Sequence, residues 1–216
     1  MKKILYFDAF AGISGDMILG ALLNIIEDDQ WFLDEINKIN IPDFEVTITP
    51  KKVKGITSLK VNINFKEQKA HRHLKHINEI IDASPYNENV KSTSKKIFLT
   101  LAEAEAKVHN STIEKVHFHE VGAIDSIIDI LGVSILLDKI NPDKIVCSSL
   151  PVGQGFVECD HGKMPLPAPA TIELLKDIPV YNSGIDGEFV TPTGTSIIRT
   201  VCSDFTGFPD ISINWY

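Results

Sequence analysis

Residues 116–130, VHFHEVGAIDSIIDI, bring two histidines, one glutamate and two aspartates into fifteen positions. Imidazoles and carboxylates at this density are donors for a borderline divalent metal, or partners in acid–base chemistry. If VHFH is extended, His117 and His119 point to one side and Val116 and Phe118 into the core. Gly122 ends that strand. The helix that follows is apolar nearly all round, from Ile124 to Leu137, which predicts burial. Asp125 and Asp129 lie one turn apart on a stripe that Gly132 continues. Like charges at that spacing cost an isolated helix ~0.2–0.5 kcal/mol. Burial raises the cost unless a cation, a donor or water answers them. The plainer reading has Asp125 as an ordinary helix-start carboxylate and the histidines on an exposed strand face.

A second set of residues opens the chain. Residues 3–7 are a β-prone run that ends at Asp8. FAGISGD then leads into a helix with Met17, Ile18, Ala21, Leu22 and Ile25 on its apolar face. Strand, glycine loop, helix leaves free N–H groups at a helix N-terminus, where an anion binds. Ser14 is the expected N-cap, and Gly12 and Gly15 allow close approach or positive φ. The loop has neither the dinucleotide spacing nor the Lys-Ser/Thr of the common phosphate loops, and a glycine turn without a ligand fits the motif alone. Asp8 and Asp16 favour a ligand site, since α/β proteins collect ligands at strand ends. Residues 191–194, TPTG, form a second candidate phosphate cradle through Thr191, Thr193 and Gly194 if they face the first loop; otherwise they are a plain helix cap. HRHLKH places His71, His73 and His76 at a helix start, where imidazoles three residues apart can share nickel, zinc or copper. Exposed histidines without a ligand are common there too.

The elements that must position these groups are those of an α/β domain: one mixed β-sheet with helices on both faces, in a single domain. The chain has 216 residues, 44% hydrophobic and 23% charged, enough for a proper core. A net charge of −8 gives a nucleic-acid or membrane-surface partner no support. Three cysteines without a C-x-x-C pair fit a reducing cytoplasm rather than a disulfide framework. No apolar run reaches the ~20 residues of a membrane span. Periodicity predicts a helix at 30–39 and a hairpin of 44–49 with 56–65. It predicts a helix from Arg72 with Leu74, Ile77 and Ile81 inward, and another at 92–108 with Ile97, Phe98, Leu101 and Val108 inward and His109 as its cap. A strand at 144–150, a glycine turn at 151–156, a hairpin turn carrying His161, and helices at 170–176 and 196–202 follow. Residues 211–216, ISINWY, read as a strand whose abrupt end suggests a continuation.

Five stretches occur in one order: YFDAFAGISGDMILGALL, RHLKHINEIIDAS, AEAEAKVHNSTIEKVHFHEVGAIDSIIDILG, LPVGQGFVECDHGKMPLPAPATIELLK and TPTG. Together they resemble the N-terminal part of the LarC-type nickel insertion proteins, which serve lactate racemase. The resemblance covers nearly all of residues 1–216. It implies insertion of Ni²⁺ into a pyridinium mononucleotide bearing two thiocarboxylates, giving the nickel-pincer nucleotide, with lactate racemase or a related nickel-pincer enzyme as recipient. It also implies dependence on CTP with Mn²⁺ or Mg²⁺, and a homo-oligomer, in the full-length protein. Two departures stand out. The family's long histidine tract is reduced to KEQKAHRHLKH, and its C-terminal domain, associated with CTP and oligomer assembly, is absent.

Nickel delivery needs ligands that also release the metal, and imidazole and carboxylate suit that because the acceptor's soft sulfurs can compete. His117, His119 and Asp125, with Glu120 or Asp129 as neighbours, are the expected metal site, and His71, His73 and His76 a recruiting site. Asp16, Glu120 and Asp125 are the candidate catalytic residues. The phosphate is expected at Gly12–Gly15 or at Thr193–Gly194, with Asp8 and Asp16 on ribose hydroxyls or a second cation. Two other classes fit the same residues: a non-catalytic nickel carrier, and a metal-dependent phosphohydrolase built on Asp8, Asp16, Asp125 and Asp129.

Overall fold

The computed structural model describes residues 2–65, 72–116, 118, 124–159 and 162–214. Its elements in order are β1 (Ile4–Phe7), α1 (Gly15–Ile26), α2 (Asp29–Ile36), β2 (Phe44–Val53), β3 (Ile56–Phe65), α3 (Leu74–Ala83), α4 (Glu88–Val108) and α5 (Ile124–Ile140). They continue with β4 (Lys144–Cys147), β5 (Leu150–Gln154), β6 (Phe156–Cys159), β7 (Gly162–Pro165), α6 (Pro169–Leu174), β8 (Val180–Asp186), α7 (Pro192–Val201) and β9 (Asp204–Phe205).

The organising element is α5. Every residue from Ser126 to Leu137 is buried, as an all-apolar helix demands. Helices α1, α2, α4 and α7 and strand β3 pack around it. Each Ile or Leu taken fully out of water there stabilises by roughly 1.5–3 kcal/mol. Gly132 lets this packing close: a Cβ there would stand 2.8 Å from Leu19 and 3.1 Å from Phe32. The buried side chains form one contiguous cluster reaching from Leu5 to Ile198.

The expected α/β class holds, with parallel and antiparallel strands. The strands are divided among four sheets among the described residues. β1, β4 and β9 form a parallel sheet in the order β1-β4-β9, with Phe7 beside Cys147 and Cys147 beside Phe205. β5 and β8 pair in parallel, and β2–β3 and β6–β7 are antiparallel hairpins. The β2–β3 turn places Lys54 and Gly55 at φ 48° and 91°, the positive values a tight two-residue hairpin turn requires.

Several boundaries differ from the sequence expectations for physical reasons. α1 is covered by both α5 and β3, so its buried positions are Gly15, Ile18, Leu19, Gly20, Leu22 and Leu23, while Met17 and Ala21 face outward. α4 starts at Glu88 because the Asn87 side chain caps it, accepting from Val90 N at 3.0 Å; Val108, at its far end, is exposed. Residues 151–154 extend as β5, and the turn falls at Gly155, φ 105°. α7 begins at Pro192, so TPTG is its first turn. Residues 211–214 form no strand. Val116 and Phe118 are buried as expected, with Phe118 N donating to Arg72 O at 3.1 Å in an isolated antiparallel bridge. Cys147 and Cys202 are free thiols. No helix among the described residues is long and apolar enough to cross a membrane.

Candidate functional site

The two loops singled out in the sequence, near opposite ends of the chain, lie against each other. Ile13 and Val190 form a parallel bridge; Ile13 N donates to Phe189 O at 2.7 Å and Thr191 N to Ile13 O at 3.1 Å. Two glycines make the approach possible. A Cβ on Gly194 would stand 2.6 Å from Ile13 O, and one on Gly12, at φ 101°, would collide with Phe189 O. Side-by-side loops bring together the N-termini of α1 and α7.

A cleft of about 340 Å³ opens between these N-termini and the first turns of α5. Ser14, Gly15 and Asp16 line it from α1, Asp125, Ser126 and Asp129 from α5, and Thr191, Pro192 and Thr193 from α7. Val157 and Met164 of the β6–β7 hairpin, with Ala168 and Glu188, complete the wall. The first turn of a helix leaves N–H groups without intrahelical partners. At α1 the N-cap Ser14 side chain does not answer them; its hydroxyl donates to Asp16 Oδ1 instead. At α7 the Thr191 hydroxyl accepts from Gly194 N at 3.1 Å, and Pro192 has no N–H. Ser126 Oγ and Thr193 Oγ1 are 3.4 Å apart across the cleft.

Asp129 is the most unusual group. It is 9% exposed, and its Oδ1 has no hydrogen-bond partner. Burial, then the nearby charges of Asp16 and Asp125, push its carboxyl up to about 8, against an ordinary aspartate near ~3.9. The first turn of α1 presses on it: a Cβ on Gly15 would stand 2.6 Å from Asp129 Cγ. Asp125 is raised by partial burial, an effect opposed by Ser126 N, which donates to its Oδ1 at 2.7 Å. The carboxylates thus carry electrostatic strain beside two positive helix ends.

Of the residues expected at a site, Ser14, Gly15, Asp16, Asp125, Asp129, Thr191 and Thr193 come together in the cleft, with Gly12 and Gly194 holding its loops in place. Asp8 is exposed at the end of β1 and does not line it. His73 and His76 cap α3 away from the cleft lining. His73 N donates to His76 Nδ1 at 3.3 Å, and His73 Nδ1 lies 3.0 Å from Val116 O, which can only accept. His71, His117, His119 and Glu120, with Gly122 and His161, lie outside the described residues. Among the described residues no three His, Cys, Asp or Glu side chains form a ready metal cage. Ser126, Glu188 and the β6–β7 wall were not anticipated. Ser126 had only its position beside Asp125 to mark it; Glu188 had no local signal.

The family model for nickel insertion proteins matches residues 5–215. A putative nickel insertion protein of Dictyoglomus thermophilum is 48% identical over 98% of this chain and 55% of its own length. The pyridinium-3,5-bisthiocarboxylic acid mononucleotide nickel insertion protein of Acetivibrio thermocellus is 48% identical over 98% of this chain and 54% of its own length. The protein of the same name in Staphylococcus epidermidis is 42% identical over 99% of this chain and 54% of its own length. The chain spans about half the length of these relatives. No solved structure matches it.

Proposed function

The chain belongs to the nickel insertion protein family, and from that premise we propose that it inserts Ni²⁺ into pyridinium-3,5-bisthiocarboxylic acid mononucleotide. The product is the nickel-pincer nucleotide, destined for lactate racemase or a related nickel-pincer enzyme. In the full-length protein the reaction depends on CTP with Mn²⁺ or Mg²⁺, runs as a chelatase of the lyase class, and takes place in a cytoplasmic homo-oligomer. This chain is the N-terminal domain of that protein.

The observation that carries this reading is the cleft itself. Uncapped N–H groups at the start of α1 and the Thr193 turn of α7 suit the phosphate of a mononucleotide. Asp16, which lines the cleft, takes ribose hydroxyls or a cation in this reading. Nickel is held by His117 and His119 with Asp125, and Glu120 is their acidic neighbour. The Arg72–Phe118 bridge supports this assignment, because it joins the two stretches in which the sequence interleaves histidines. His71, His73 and His76 form the recruiting site. Oxygen and nitrogen ligands hold Ni²⁺ less firmly than paired thiocarboxylate sulfurs, so the metal moves toward the acceptor. Nickel titration of the His117→Ala/His119→Ala variant is the test. Loss of one equivalent of nickel is expected; unchanged stoichiometry and affinity would refute the assignment.

A second reading draws on the same cleft. Carboxylates facing two helix N-termini also suit a metal-dependent phosphohydrolase. Release of inorganic phosphate from a mononucleotide by this chain alone would favour it over nickel insertion.

A further inference from the structure

Among the described residues the cleft is polar on the sides built from helices and apolar on one other. The starts of α1, α5 and α7 supply carboxylates, hydroxyls and N–H groups. Apart from Pro192, the apolar side chains of the lining come from the β6–β7 hairpin and the turn after it: Val157, Met164 and Ala168. Val157 and Met164 stand opposite each other in the antiparallel ladder, so they form one patch on a single side of the hairpin. Phe156 and Glu158, with Lys163 and Pro165 across from them, alternate to the other side and are exposed. There Lys163 Nζ stands 4.8 Å from the Phe156 ring centroid.

The inner patch has no protein surface to cover. β6 and β7 pack mainly on each other. Leu166 N donates to Gly155 O at 3.0 Å and closes the base of the hairpin. Val157 and Met164 belong neither to the buried core cluster nor to the half-buried apolar side chains packed against it. Both are nevertheless half-buried, and what they line is the cleft. An apolar wall on an otherwise polar cleft gains from any apolar face that covers it, and small-molecule sites are built in this way, with a few polar groups fixing orientation.

A mononucleotide is divided in the same manner. Its phosphate and ribose carry oxygens suited to helix ends, hydroxyls and carboxylates. Its base is flat, and both faces are aromatic. A methionine thioether packs favourably on an aromatic ring and adapts its shape to it. Contact through the face leaves the ring edge clear of the wall. In the mononucleotide named for the Acetivibrio thermocellus and Staphylococcus epidermidis relatives, that edge bears the two thiocarboxylates.

We infer that Val157 and Met164 form the subsite for the aromatic ring of the mononucleotide, packing on its face while the helix ends hold its phosphate. The subsite sets the choice of ligand: a sugar phosphate without a ring meets only the polar walls. The inference rests on the phosphate placement of the proposed function and on none of the nickel ligands.

Isothermal titration calorimetry on the whole chain, without metal, tests it with two probes. Nicotinic acid mononucleotide has a phosphate, a ribose and a pyridinium ring; ribose 5-phosphate lacks the ring. The wild type should bind the first at least about tenfold more tightly. Met164→Ala should remove most of that preference and leave the affinity for ribose 5-phosphate unchanged. Val157→Ala should act in the same direction, and it keeps the test open if Met164→Ala does not fold. Phe156→Ala, on the outer side, should change neither affinity, which separates ring contact from general damage to the hairpin. Equal affinity of the two probes in the wild type would overturn the ring subsite and leave the phosphate placement standing. So would an undiminished preference in the folded inner-side variants, or a loss shared by both probes or by Phe156→Ala. Failure of the wild type to bind either probe would overturn the phosphate placement, and the ring subsite with it.

Discussion

Replacing Asp129 by asparagine should stabilise the protein in alkali and have little effect in mild acid. Its carboxyl titrates at about 8 in the folded state, raised first by burial and then by Asp16 and Asp125. In the unfolded chain it titrates near ~3.9. Between those values the folded state binds the extra proton. Stability therefore falls as pH rises through that window and levels off above it. Four pH units at 1.36 kcal/mol each set a ceiling of about 5 kcal/mol. Water entering the cleft lowers that ceiling, so roughly 2–4 kcal/mol is expected. Asparagine keeps the shape and cannot ionise. Urea unfolding followed by tryptophan fluorescence, in EDTA so that no cation answers the charge, measures the difference. The variant should gain about 2–4 kcal/mol over wild type at about pH 9, and the gap should shrink below about 1 kcal/mol at about pH 5. Carboxylates remote from the cleft titrate in both proteins and cancel; Asp16 and Asp125 lose a like-charged neighbour in the variant, which adds to its gain in alkali. A gap that does not change with pH would refute the reasoning, as would a variant less stable than wild type at the alkaline end.

Two more substitutions probe the same architecture. Gly15→Ala drives a methyl into the Asp129 carboxylate and should cost about 1–3 kcal/mol by denaturant unfolding. Adding Asp129→Ala should recover part of the loss, because the obstruction is a side chain. Gly194→Ala would ordinarily favour a helix by up to about 1 kcal/mol. Here the new methyl meets the Ile13 carbonyl, so the variant should be destabilised instead, and Asp129→Ala should give no rescue.

What the sequence disclosed was local. The all-apolar run of α5 and the alternation of β2 and β3 are periodic signals; α5 and β3 lie where periodicity put them, while β2 runs on to Val53, past the alternating run 44–49. The Asp125–Asp129 stripe follows from helix geometry alone, and both side chains line the cleft. The start of α7 was legible in principle, since a threonine followed by proline is an N-cap with proline at the first helical position. Asn87 gave the same kind of sign for α4, but the polar residues after it hid the apolar stripe. The division of the strands into four sheets had no local signal. β8 exposes Val180, Tyr181 and Ile185, so its pattern does not alternate between core and solvent. The presence of Ser126 and Glu188 in the cleft depends on tertiary approach. So does the absence of Asp8, whose place at a strand end suggested otherwise.

The hydrogen bonds between Ile13 and the 189–191 backbone tie the start of the chain to a helix completed only near its end. On a ribosome, the cleft has no second wall until α7 has emerged. Closing so long a loop is slow relative to local helix formation. Early intermediates would therefore have α5 packed against α1 well before they could retain a nucleotide. A ligand that touches both seams would act as a clasp, slowing amide exchange at Ile13 and Thr191 together although they lie far apart in the sequence.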